Sequence, residues 1–143
     1  MSKVFHLLII LIGLFCAAQW LVRWVRSSDF LARYGGEEFV VMLTDIELSQ
    51  TESEFADLLA NIASSNYVYK KYEEECTVGF TASCGLAEFT LDESGEDLLR
   101  RADEALYVAK RTGKNRVVRA KTQKSFWKTL AFRGHPGTTK QKP

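Results

Sequence analysis

The sequence predicts a single sheet domain of the α/β or α+β class. Three observations predict it: the β-branched apolar run EFVVML, two stretches with apolar residues at helical spacing, and strand-like runs placed between and after them. A chain of 143 residues has room for one ordinary domain, and 46% apolar with 26% charged residues is globular rather than disordered composition. The formal charge of +1 gives no overall pull toward nucleic acid, and no nucleic-acid partner is expected.

The chain opens on a greasy leader. Between residues 4 and 18, VFHLLIILIGLFCAA, the only polar side chain is His6, and apolar character continues through Trp20, Leu21 and Val22. That is about one bilayer span, at the short end of the roughly 17–25 residues a transmembrane helix needs. Lys3 precedes the run while Arg23, Arg26 and Arg33 follow it, so the positive-inside bias places the remainder in the cytoplasm. The expectation is a single-pass anchor in a bacterial inner membrane, residues 1–22. A signal peptide is the rival, although FCAA is a poor cleavage site; a buried helix, or no element at all, is the plainer alternative.

Two strands then flank the paired glycines and glutamates of RSSDFLARYGGEEFVVML. Gly35 and Gly36 permit positive φ at both centres of a two-residue turn and leave amides open to an anion. Glu37 and Glu38 follow, and neighbouring side chains on a strand point to opposite faces, so one can meet Mg²⁺ as a hard oxygen ligand. Taken alone, GGEE is equally an ordinary hairpin with a solvated acidic flank.

Thr51 with Glu54 forms a capping-box pattern, and Phe55, Leu58, Leu59 and Ile62 follow as one helical stripe. Residues 67–89 read as paired strands joined around KKYEEE. Ser94 caps a second helix, with Leu98, Leu99, Ala102, Ala105, Leu106 and Ala109 on one face and Gly113 to stop it. NRVVR is a last strand. Residues 120–143 carry six Lys or Arg and no acid, and are expected to be flexible, with Phe126, Trp127 and Phe132 free to touch a membrane or pack back. The three cysteines form no CxxC pair; a reduced compartment is expected, with Cys16 and Cys84 as small buried hydrophobes.

The string RYGGEEF, residues 33–39, resembles the signature of the GGDEF family, the diguanylate cyclases that condense two GTP into cyclic di-GMP. FTASCGLAEF resembles that family's central strand, and LLRRADEALYVAKRTGKNRVV its last helix and strand. The resemblance implies an α+β sandwich related to nucleotide cyclase catalytic domains, with the hairpin at the active site. It implies that Glu37 holds Mg²⁺ with Glu38 as its catalytic partner, that Gly35 and Gly36 lie against GTP, and that Lys110 and Lys114 contact the triphosphate. Each domain then binds one GTP, so activity implies a homodimer. Arg26 and Asp29 match the family's RxxD inhibitory site for cyclic di-GMP. Without that resemblance, the lysines read as compensation for a helix C-terminus and RxxD as surface charge or, for Arg26, a membrane-flanking cation.

The chain also departs from the family pattern. The first half of such a domain carries a strand ending in an aspartate for the metal, and a helix with residues that read guanine. Counting back from Arg26, these fall before Met1 or among residues 2–13, and no Asp or Glu precedes Asp29. Residues 23–119 are therefore expected to form a partial GGDEF domain, with first strands missing, ladder edges open and the chain a truncated or frameshifted reading. A cyclase incomplete by itself, a cyclic di-GMP-binding module working through RxxD, and a remnant without function are the three readings.

Overall fold

The computed structural model describes the backbone of residues 5–11 and residues 16–121. In chain order it contains β1 (Phe5–Leu11), α1 (Cys16–Trp24), β2 (Phe30–Gly35), β3 (Glu38–Thr44), α2 (Leu48–Ser64), β4 (Tyr67–Lys71), β5 (Glu74–Val78), β6 (Ser83–Glu88), α3 (Gly95–Arg111) and β7 (Val117–Arg119). One sheet has the order β2-β3-β1-β6-β7, and β4 with β5 forms a separate hairpin.

The leader is the principal correction. Its residues Phe5–Leu11 form the middle strand of the large sheet, antiparallel to β3 on one side and to β6 on the other. A strand in a sheet covered on both faces reads as an unbroken apolar run, which periodicity alone does not separate from a helix. Gly13 interrupts the run, and α1 behind it has nine residues and contains Arg23. Among the described residues no helix is long and apolar enough to cross a membrane. The N-terminal hydrophobic helix and the single-pass inner-membrane location with a cytoplasmic domain are thereby overturned. So is the expectation of a missing first strand, because β1 occupies the gap between β3 and β6 and leaves neither ladder open there.

Both faces of the sheet are covered. On one, Phe39, Val41 and Leu43 of β3 and Cys84 and Leu86 of β6 pack against Phe55, Leu58, Leu59 and Ile62 of α2 and Leu21 of α1. Trp24 meets the Phe55 ring edge-on at 4.4 Å. On the other face, Val40 and Ala87 pack against Leu98, Ala102 and Leu106 of α3. Helix α3 lies so close that a Cβ on Gly85 would overlap backbone atoms of Ala102 and Leu106. A glycine is needed there for close approach rather than for its φ.

The two expected helix starts fare differently. Ser94 caps α3 by accepting from Asp97 N, as its position predicts. Helix α2 begins at Leu48, with Glu47 as N-cap, so Thr51 is buried inside the first turn and donates to Glu47 O at 3.0 Å. A threonine hydroxyl bonds backward along a helix as readily as it caps one, and the core contact of Leu48 decides. The KKYEEE turn forms with Tyr72 and Glu73 both at positive φ. The stretch behind it divides, with β6 joining the large sheet rather than the hairpin.

Near the start of α3, Arg101 and Glu93 form a buried ion pair at 2.6 Å, and Arg101 also donates to the carbonyls of Glu88 and Lys121. Its guanidinium thus ties the ends of β6 and the chain beyond β7 to the start of α3. Cys84 is buried, as expected, and Cys76 is partly exposed. The Cys16 side chain and residues 122–143 of the basic tail, with Phe126, Trp127 and Phe132, lie outside the described residues.

Candidate functional site

The sheet register gathers the signature at one end of the molecule. Gly35 of β2 sits opposite Glu38 of β3, Glu38 opposite Leu11 of β1, and Leu11 opposite Ser83 of β6. The loop after α3 reaches the same end, because Asn115 N donates to Ser83 Oγ at 3.2 Å. Lys110 Nζ, from the last turn of α3, lies 3.7 Å from Glu38 Oε1. Gly35, Gly36, Glu37, Glu38, Lys110 and Lys114 are therefore brought to one end of the sheet by adjacent strands and by the end of one helix.

The turn differs in detail from its sequence reading. Only Gly36 has positive φ, +47°, while Gly35 ends β2 at a bulge and Glu37 sits in the turn rather than on the strand. Arg33 braces this turn by donating from Nε and one terminal nitrogen to Gly36 O, at 2.9 and 2.6 Å. The sequence reading names Arg33 as a flanking cation and as the first residue of RYGGEEF but gives it no part in the turn, although its place two residues before the glycines is the available signal. Behind α3, Gly113, Lys114 and Asn115 have φ of 121°, 59° and 47°. Two non-glycine residues in succession in the left-handed region are strained, and the Asn115–Ser83 bond helps hold them. Neither Ser83 nor Asn115 is singled out by sequence.

Arg26 and Asp29 stand apart from this group, at the other end of β3, where Arg26 donates to Thr44 O at 2.8 Å. The pair closes on itself. Asp29 accepts from Arg26 N at 2.9 Å and from Nε and a terminal nitrogen at 3.0 and 2.9 Å. The Asp29 side chain is 1% exposed and that of Arg26 49%. Burial pushes the Asp29 carboxyl up, but the hydrogen bonds from Arg26 outweigh it and hold the group below its ordinary value. The same contacts raise Arg26.

Mg²⁺ fits these residues poorly. Glu38 is paired with Lys110, which leaves Glu37, exposed in the turn, as the one uncommitted carboxylate of the signature. Among the described residues no group of three acidic, histidine or cysteine side chains could hold a metal ion. Strand β1 ends opposite Glu38 at Leu11, and the sequence places no carboxylate near that end. Among the described residues, a pair of ions clamping both reacting oxygens finds no ligand set.

The family model for the GGDEF domain of diguanylate cyclases matches residues 13–116. This chain belongs to the GGDEF family. It is 40% identical over 93 residues to diguanylate cyclase DgcP of Pseudomonas aeruginosa and 37% identical over 93 residues to diguanylate cyclase DosC of Escherichia coli. Both alignments cover 65% of this chain, which spans only 13% and 20% of the length of those relatives. Among solved structures, the GGDEF domain of DgcB from Caulobacter crescentus in complex with c-di-GMP superposes with a TM-score of 0.75 at 28% identity, covering 84% of this chain and 80% of that one. The family match begins two residues beyond β1, so the strand that completes this GGDEF sheet lies outside the matched segment.

Proposed function

We propose that this chain is a GGDEF domain of cyclic di-GMP signalling that keeps the phosphate-facing half of the cyclase site and does not by itself convert GTP to cyclic di-GMP. The register of β1 carries the reading: the strand that should deliver a metal carboxylate beside the signature ends opposite Glu38 in an apolar sequence. Glu37 and Glu38 then act without a second acidic partner, and Gly35, Gly36, Lys110 and Lys114 form a phosphate-binding edge. The working unit includes β1 together with residues 23–119. A homodimer of the face-to-face kind used by a competent cyclase would bring together two sites with the same deficiency. The test is a cyclase assay on the purified chain with GTP and Mg²⁺, separating products by chromatography. No cyclic di-GMP above background is expected, and robust turnover overturns the proposal.

A second reading is favoured by the half-exposed guanidinium of Arg26. In it, cyclic di-GMP phosphate meets Arg26 while Asp29, sealed beneath, holds that guanidinium in place. Calorimetry with cyclic di-GMP on the parent chain and on Arg26→Ala tests it. Unchanged affinity in the variant removes this reading without touching the first.

A further inference from the structure

The large sheet ends on β7, and no strand among the described residues pairs with its outer edge. Cys84 N donates to Arg116 O at 2.9 Å and Ala120 N to Leu86 O at 2.7 Å. Backbone groups alternate in direction along a strand, so Arg116, Val118 and Ala120 face β6 while Val117 and Arg119 turn their N–H and C=O outward. A groove flanks this edge on each face of the sheet. The one beside α3 holds about 570 Å³, with Ala105, Val108 and Ala120 in its wall; the one beside α2 holds about 310 Å³, with Ala56 and Ala60 in its wall. Charged side chains at the rims are already committed, Arg119 to Glu52 at 3.3 Å and Arg100 to Glu104 at 2.8 Å.

We infer that the chain beyond Lys121 returns along β7 and adds a sixth strand there, its large apolar side chains filling the two grooves. The occupant follows from place and from size. Lys121 O accepts from Arg101 at 3.1 Å, so residues 122–143 leave from the lip of the larger groove. A hairpin loop takes about two to five residues. Residues 122–125 suffice for it, which brings residues 126–132, FWKTLAF, antiparallel beside β7. Neighbouring side chains of a strand point to opposite faces. Phe126, Leu130 and Phe132 then share one face and Trp127 the other, so either register offers an aromatic ring to each groove, where small aliphatic walls leave room for it. The added strand also closes an edge that otherwise invites another chain. A second copy would pair only Val117–Arg119, three residues, and without the advantage of a tether.

Amide hydrogen exchange of the full chain, read residue by residue by NMR, tests this. The amides of Val117 and Arg119 are expected to exchange about tenfold or more slowly than open-chain amides. Val118 and Ala120, which face β6, are protected in any case. Lys128→Pro and Thr129→Pro are neighbours, so in either register one of them removes an N–H that faces β7. At least one is expected to return Val117 and Arg119 to open-chain rates while Val118 and Ala120 stay protected. Gln141→Pro, beyond the run, changes nothing. If a proline variant also exposes Val118 and Ala120, the fold itself has been lost, and Trp127→Ser is read in its place with the same expectation. Open-chain exchange at Val117 and Arg119 in the parent overturns the inference. So does protection that no variant in the run alters, and so does protection that rises with protein concentration, which assigns the edge to a second copy.

Discussion

Replacing Ile9 by proline separates a central strand from a dispensable leader. Ile9 is opposite Val40 of β3 and also opposite Gly85 of β6, in ladders that run from Phe5 to Leu11 on one side and from His6 to Leu11 on the other. Proline lacks the N–H for one of these ladders, and its ring disturbs the strand, a combination that costs about 3 kcal/mol or more inside regular structure. A domain of this size is stabilised by roughly 5–15 kcal/mol in total, so the loss is a large fraction of the whole. At about 4 °C per kcal/mol, Ile9→Pro should lower the melting temperature by at least about 12 °C, or abolish cooperative melting. The assay is thermal melting followed by far-ultraviolet circular dichroism, with Thr77→Pro on the separate β4–β5 hairpin as a local control. A cooperative transition within about 2 °C of the parent would refute the placement of β1, since that is the tolerance expected of an exposed site.

Other outcomes follow from individual contacts. Arg101→Ala leaves Glu93 buried and unpaired, and should destabilise the fold by about 3–5 kcal/mol, measured by urea unfolding. Gly85→Ala forces α3 away from β6 and should cost about 1–3 kcal/mol in the same assay. Asp29 is held below its ordinary pKa, so its contribution is fully present above that ordinary value and is lost as pH falls through the depressed one. Below about pH 4, the parent should therefore lose stability more steeply than Arg26→Ala, as read from melts at stepped pH. Burial pushes the Cys84 thiol up, so in a variant with Cys16 and Cys76 changed to Ser it should resist a thiol reagent until the chain unfolds.

Much of the sheet domain was legible because its patterns are local. The stripe Phe55, Leu58, Leu59, Ile62 and the cap Ser94–Asp97 are set by spacing along one helix, and both occur as read. The start of α2 was not legible, because Thr51 fits a cap and a buried turn equally and only tertiary contact chooses. The leader failed for a related reason: FHLLIIL satisfies a membrane span and a central strand alike, and what distinguishes them is the presence of β3 and β6, far away in sequence. At the site, the motif string brought forward Gly36, Glu38 and Lys110, which the fold gathers. Arg33 and Ser83 act through backbone geometry, on Gly36 O and Asn115 N, which no spacing rule exposes.

The middle strand also shows how a fold and its chemistry come apart. Backbone ladders on β3 and β6 are indifferent to side-chain identity, so the slot between them selects for extended apolar chain and for little else. Architecture of this kind is inherited through pairing partners, whereas reactivity is inherited through single side chains at strand ends. A segment can satisfy the first demand whatever it brings to the second, which makes the slot a natural site for placing an acidic side chain at the end of β1 and asking what chemistry follows.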